Sequence, residues 1–372
     1  MLDKKYVLAQ NNKFYIYGTD NITKKIVTSV FNGPKELYEC GCIGFIGTDP
    51  YEKHFLSLPV YTMNNIPCLL YFKICIATAE DFNIEKDHLL IGYGLRSENI
   101  KSANWLIQLK ILQKYRNSEK KEINVVINNL LGCEDSDDFC GFCKEKPRLY
   151  KINWDPEFDM PYAIYEGKRI YYPRNHRFKI KDEMQYVEGI EYEQQKGSPH
   201  EYITNKVKVN RNSVIVDAGT CEGNFSIKYV DDCKKLFLIE PDPDWEYPLQ
   251  LTFRNYMNKV IFCKKYLSNV NDDTQITLDK LLKNEKVDFI KMDIEGFEVG
   301  ALLGAKDTFL NNNISCSICS YHKHGDERKI KKILEMYGYS FDTSNGYMIF
   351  MHDRDRFKYC ELRRGIVYGW KE

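Results

Sequence analysis

Val214-Ile-Val-Asp-Ala-Gly-Thr-Cys-Glu-Gly-Asn-Phe225 places a run of β-branched apolar residues before Asp217, then two glycines four apart, then a helical pattern. A strand running through a glycine turn into a helix opens a Rossmann-like unit, and its carboxyl end faces the crevice where such sheets hold ligands. Gly219 permits the sharp turn and Gly223 lets the helix begin close to a bound molecule. Asp217 is expected to point into the crevice, with Thr220, Glu222, Asn224 and Phe225 on the same wall. A second strand, Leu236-Phe-Leu-Ile-Glu240, ends on a carboxylate about 20 residues past the first glycine, the spacing at which these folds bind a ribose diol. Pro241 and Asp242 continue that edge.

A nicotinamide cofactor needs a glycine where the backbone approaches its pyrophosphate, and Thr220 and Cys221 fill that stretch here. A cofactor without a diphosphate fits better. S-adenosylmethionine (SAM) carries an ammonium for Asp217 and ribose hydroxyls for Glu240. Taken alone, the two-glycine turn also reads as a tight turn with a helix-packing glycine. Downstream, Ile276-Thr-Leu-Asp-Lys-Leu-Leu282 reads as a short helix, and Val287-Asp-Phe-Ile-Lys-Met-Asp-Ile-Glu-Gly296 as a third strand ending in acids and a glycine.

The succession D-x-G-x-x-x-G-x-F, E-P-D, T-L-D-x-L, K-M-D-I-E-G-F-E and Gly304-Ala305 is similar to the FkbM family of SAM-dependent methyltransferases, over about residues 190 to 350. Glu193-Gln-Gln-Lys-Gly-Ser-Pro-His200 resembles the lead-in of a bacterial branch of that family. The resemblance implies O-methylation, usually of a sugar or polyketide hydroxyl.

Composition narrows the class. The 372 residues exceed the usual single-domain size, so two domains are expected. Lysine plus arginine and aspartate plus glutamate number 53 each, with no long block of like charge, which argues against a nucleic-acid partner. Met1-Leu-Asp-Lys-Lys-Tyr6 lacks a signal-peptide pattern, and the apolar stretch 66–79 is short and broken by Lys73. A cytoplasmic protein with no membrane span is expected, its 13 cysteines reduced and mostly acting as small core hydrophobes.

The N-terminal half alternates strands and helices: Lys13–Gly18, Ile22–Phe31, Gly41–Gly47, Val60–Met63, Tyr71–Ala77 and Ile84–Leu90. This smaller Rossmann-like domain, placed at 1–130, resembles the nucleotide-sugar-binding domain of some bacterial sugar acetyltransferases at Gly-Phe-Ile before Asp49 and at Pro59-Val-Tyr. Gly18-Thr-Asp-Asn lacks a full glycine fingerprint, so a structural or interaction role stands beside that reading. A linker and cap hairpin are placed at 131–185, where Pro147, Pro156, Pro161 and Pro173 break regular elements and Glu166-Gly-Lys turns a hairpin over 162–172. Its tyrosines suit either packing or a sugar face. Cys133, Cys140 and Cys143 have a spacing that suits a metal but also a loop with incidental thiols. The methyltransferase domain is placed at 186–372.

Methyl transfer to oxygen is an in-line displacement that needs alignment, exclusion of water and a late proton acceptor. His322, at the end of the strand 315–321, is the preferred base, and its alternative reading is a surface histidine at a loop start. Asp293 and Glu295 are the other candidates, either as bases or as ligands of a Mg2+ ion that lowers the pKa of the acceptor hydroxyl. The expected partner is a small-molecule or carrier-linked sugar, with a homodimer left open. Two alternatives remain. One is an NAD-dependent nucleotide-sugar enzyme, for which no suitably placed Tyr-x-x-x-Lys pair occurs in this half. The other is a non-catalytic SAM or nucleotide sensor.

Overall fold

The computed structural model describes residues 13–49, 51–66, 68–78, 81–132, 139–140, 150–174 and 180–371. Met1 to Tyr6 and the cysteine motif at Cys133, Cys140 and Cys143 lie outside the residues whose side chains are described. The chain divides into two units: Met1–Phe139 with Ile349–Leu362, and Cys140–Met348 with Arg363–Glu372.

In the first unit, β1 (Phe14–Tyr17), α1 (Asn21–Val30), β2 (Cys42–Ile46), β3 (His54–Phe55), β4 (Leu58–Tyr61), β5 (Lys73–Ile76), α2 (Phe82–Tyr93), β6 (Ile100–Ser102) and α3 (Asn104–Tyr115) form a sheet flanked by helices. Strand order is β3-β4-β2-β1-β5-β6, parallel except for β3. Phe14, Ile16, Phe45 and Ile74 are fully enclosed, so the apolar runs pack on both faces of the sheet. A side-chain link joins the turns that follow β1 and β5. Asp20 caps α1 by accepting from the Thr23 backbone at 2.7 Å, and its other oxygen accepts from Thr78 Oγ1 at 2.7 Å. A carboxylate therefore stands where a helix end would otherwise attract phosphate, a charge arrangement that opposes a phosphorylated ligand there. The C-terminal stretch Ile349–Leu362 packs with this unit, its one-turn helix Arg356–Tyr359 lying against α1 and α3. Arg356 Nε donates to Asn104 Oδ1 at 3.0 Å.

The second unit begins with a small antiparallel sheet of β7 (Asn153–Asp155), β8 (Met160–Tyr165) and β9 (Lys168–Tyr171). Its turn at Glu166 and Gly167 has φ of +49° and +75°, the two-residue geometry that matches strand twist. The tyrosines pack. The Tyr171 hydroxyl donates to Asp155 Oδ2 at 2.6 Å, the Tyr171 amide to Thr252 Oγ1 at 3.0 Å, and Tyr171 and Tyr172 are almost wholly buried.

The main sheet follows: α4 (Ile180–Gln194), β10 (Val214–Ala218), α5 (Asn224–Tyr229), β11 (Lys235–Ile239), α6 (Glu246–Thr252), β12 (Val260–Cys263), α7 (Leu278–Leu282), β13 (Phe289–Met292), α8 (Glu298–Leu303), β14 (Ser315–Cys319), α9 (Asp326–Met336), β15 (Ser340–Thr343) and β16 (Ile366–Trp370). Spatial order is β12-β11-β10-β13-β14-β16-β15. The first five run parallel, with a switch point between β10 and β13, and β16 slots in antiparallel to both neighbours. Val216, Ala218, Ile290, Met292, Cys316 and Ile318 are among the strand residues that the sheet contributes to the core. Among the described residues, no helix is long and apolar enough to cross a membrane.

Arg356→Ala is expected to weaken the first unit by about 1 kcal/mol, the usual net value of one hydrogen bond. Hydrogen exchange should then rise in α1 and α3 and stay unchanged in the main sheet. A uniform rise, or none, would contradict the packing of 349–362 with this unit.

Candidate active site

Asp217 does not face the crevice as its position suggested. Its side chain has no exposed surface: Oδ1 accepts from Lys291 Nζ at 2.9 Å and Oδ2 from Ser226 Oγ at 2.6 Å. Register explains this, because Asp217 and Lys291 are directly paired on adjacent β10 and β13. Burial acts to lower the Lys291 pKa, but the charges of Asp217 and Asp293 outweigh it and raise it. Lys291 also donates to the Gly219 carbonyl at 2.7 Å, so the pair fixes the turn. The sequence signal was a lysine inside the apolar run Phe289-Ile-Lys-Met292, since a buried lysine requires a partner.

The glycines answer to protein contacts. With φ of +74°, a β-carbon at Gly219 would stand 1.6 Å from the Asp293 carbonyl oxygen. At Gly223, with φ of +82°, it would stand 2.8 Å from the Phe253 ring, so this glycine makes room for the core and not, as expected, for a ligand. Phe225 is likewise a core residue, stacked on Phe289 with ring centres 5.7 Å apart. Thr220 is buried and donates to the Asp217 carbonyl, and Asn224 donates to Gln194 Oε1 at 2.9 Å. Glu222 is buried. Asp242 is exposed and caps the turn Pro243–Trp245 just after Pro241. Glu240 keeps the expected place at the end of β11. Its oxygens accept from the Cys221 amide at 2.9 Å and the Asp242 amide at 3.0 Å, and burial raises its pKa.

Just beyond β13, Asp293 is the centre of a cluster. Oδ2 accepts from the Tyr202 hydroxyl at 2.7 Å and lies 3.3 Å from His200 Nε2, while Oδ1 lies 3.4 Å from both the Tyr321 hydroxyl and His322 Nε2. Burial would raise the Asp293 pKa, but the hydrogen bond and charge of His200, with His322 and Lys291, hold it well below the ordinary carboxylate range. Its side chain is 18% exposed. His322 is buried, not a surface residue. Nδ1 lies 2.9 Å from Glu298 Oε1 and Nε2 3.7 Å from Glu295 Oε2, and although burial lowers its pKa, the charges of Glu298, Asp293 and Glu295 raise it overall. A histidine whose carboxylate neighbours raise its pKa is a less ready base, which counts against the role expected for His322. Glu295, with φ of +54° and a side chain 78% exposed, stands at the rim.

His200, Tyr202 and Cys319 join the cluster although no role is expected for them from the sequence. His200 is buried, and its pKa is raised to about 9: burial opposes, but the Asp293 and Glu193 carboxylates prevail. The only local clue was the closeness of His200 and Tyr202 in Pro199-His-Glu-Tyr202, and the structure puts His200 in a turn across 198–201.

Strand order, a glycine turn at the switch point and carboxylates at the ends of β11 and β13 define a Rossmann-like methyltransferase. Residues 268–347 match the methyltransferase FkbM domain, and this part of the chain is a SAM-dependent methyltransferase domain of the FkbM type. No curated protein matches the chain. Among solved structures, it is similar to methyltransferase FkbM from Methylobacillus flagellatus KT, at 14% identity and a TM-score of 0.40 over 98% of this chain and 92% of that one. It is also similar to precorrin-6y C5,15-methyltransferase from Geobacter metallireducens GS-15 (13% identity, TM-score 0.30, 44% of this chain and 84% of that one). A third is magnesium protoporphyrin IX methyltransferase from Synechocystis PCC 6803 with bound SAM (15%, 0.29, 44% and 71%).

Lys291→Met should destabilise the second unit by about 3–5 kcal/mol, because it leaves Asp217 buried without its cation. Urea unfolding measures this, and a loss below about 1 kcal/mol would mean that the pair is hydrated. His200 gives a pH signature. Its folded pKa of about 9 lies above the ordinary 6.5, so its stabilisation is complete below pH 6.5 and lost as pH rises through 9. With chelator present, Tm should fall over that window in the wild type and fall less in His200→Gln. Parallel curves would contradict the assignment.

Proposed function

We propose that the second unit methylates a hydroxyl of a sugar or related glycosyl metabolite, free or on a nucleotide or lipid carrier, in a cytoplasmic setting. The observation that carries this reading is the pair of carboxylates flanking one turn: Glu240 holds the Cys221 amide on one side, and the Asp293 backbone abuts Gly219 on the other. A nucleoside fits here in part. Glu240, oriented by two amides, suits a ribose diol, whereas Asp217 is consumed by Lys291 and leaves the ammonium to other groups. When bound, SAM supplies an electrophilic methyl group.

The chain's own residues supply alignment. Asp293, ionised and partly exposed, accepts a hydrogen bond from the acceptor hydroxyl, orients an oxygen lone pair and takes up the proton late. Tyr202 and Tyr321 remain phenols, since burial pushes both pKa values up, and they fix the carboxylate plane by donating to it. His200, with its pKa raised to about 9, and His322, with its pKa raised by the neighbouring carboxylates, favour the charged form of Asp293 at the cost of its basicity. Magnesium has no place in this reading. That ion prefers an octahedral set of oxygens, while Asp293 is surrounded by imidazoles and a thiol. The sugar class follows from the FkbM resemblance and is tested by incubating the protein with SAM and a panel of sugar nucleotides and following release of S-adenosylhomocysteine.

Glu240→Gln is expected to weaken SAM binding by about 1.5–3 kcal/mol in calorimetric titration, the value of a hydrogen bond to a charged group. Asp293→Asn should lower kcat by about a hundredfold or more with SAM affinity near wild type. Unchanged SAM affinity in the first variant, or unchanged turnover in the second, removes that residue from its role.

A further inference from the structure

Cys319 ends β14, and its buried thiol meets His200 on a strap that arrives from far away in sequence. His200 Nε2 stands 3.4 Å from Cys319 Sγ and 3.3 Å from Asp293 Oδ2, and all three donor atoms lie within 4.8 Å of one another. Ligands about 2.0–2.3 Å from a tetrahedral zinc stand about 3.3–3.6 Å apart, so the side chains already hold two edges of such a polyhedron. The far side of the imidazole is arranged as well. His200 Nδ1 is buried, makes no hydrogen bond among the described residues, and lies 3.6 Å from Glu193 Oε2. A carboxylate behind the second nitrogen is what orients a metal-ligating histidine.

We propose that His200, Asp293 and Cys319 bind a divalent cation of the zinc class, with Glu193 orienting His200. Nitrogen, oxygen and sulfur donors together select zinc or cobalt over magnesium or calcium. Binding releases the imidazolium proton of His200 and the thiol proton of Cys319. The Tyr202 hydroxyl, 3.0 Å from Nε2 and 2.7 Å from Oδ2, borders the fourth position. Asp293 Oδ1 remains on the side of Tyr321 and His322. The neighbouring group of Asp293, Glu298 and His322 is a weaker candidate. Glu298 Oε1 is already used by the Ile294 and Gly296 amides, and the two nitrogens of His322 face different carboxylates. The cation site shares Asp293 with the proposed acceptor contact, but cobalt and zinc binding are read without SAM or an acceptor, so their outcome is distinguishable from failure of the methyl-transfer reading.

The test is cobalt(II) titration of the untagged full chain, followed by displacement with zinc. One equivalent of cobalt should bind and give a near-ultraviolet thiolate-to-cobalt charge-transfer band, which Cys319→Ser abolishes. Glu193→Gln should weaken zinc about tenfold or more. Absence of the band overturns the proposal, as does a band that survives in Cys319→Ser or that is lost only when Cys133, Cys140 and Cys143 are replaced together. If circular dichroism shows that Cys319→Ser is unfolded, Glu193→Gln decides, and unchanged zinc affinity there overturns the proposal. SAM affinity measured on the same samples reports separately on the cofactor reading.

Discussion

The ion pair between Lys291 and Asp217 is the constraint on which the rest of the second unit depends. Two opposite charges are placed side by side in the middle of a parallel sheet by strand register, fully enclosed, where neither could stay ionised alone. The same ammonium holds the Gly219 carbonyl and lies 5.2 Å from the centre of the Tyr202 ring. One side chain thus links the cofactor-side turn to the strap that supplies His200 and Tyr202.

A second charge arrangement is built around that pair. Asp293, His200, His322 and Glu298 alternate in sign, so each buried charge has an opposite neighbour. The arrangement favours the ionised form of Asp293 and raises the pKa of both imidazoles, which suits holding and orienting an acceptor better than abstracting a proton from it. Pre-set orientation is the larger part of what an in-line displacement asks of a protein. A base of ordinary strength is less important because the proton leaves late.

Much of the fold was legible because its signals are local. Apolar runs of five residues, the glycine turn at 219, the short helix within 276–282 and the carboxylate closing β11 each follow from neighbours along the chain. The roles of particular side chains were less legible. Gly223 and Phe225 read as cofactor residues by proximity to Gly219, but their contacts are with Phe253 and Phe289, residues brought in by other elements. His322 read as a base because it follows a strand, and only packing against Glu298, Asp293 and Glu295 shows that its pKa is raised.

The sequence by itself determined the Rossmann-like class, the switch-point turn and the acidic strand ends, since periodicity and glycine placement act over a few residues. Tertiary structure alone decided which carboxylate is spent internally and which is left at the site. Asp217 and Asp293 look alike in sequence, each ending a strand, but register sets Lys291 against the first while the strap from 200–202 and the end of β14 enclose the second. Tertiary structure also carried the largely charged stretch 349–362 to the first unit, where its few apolar side chains Ile349, Met351, Cys360 and Leu362 are buried.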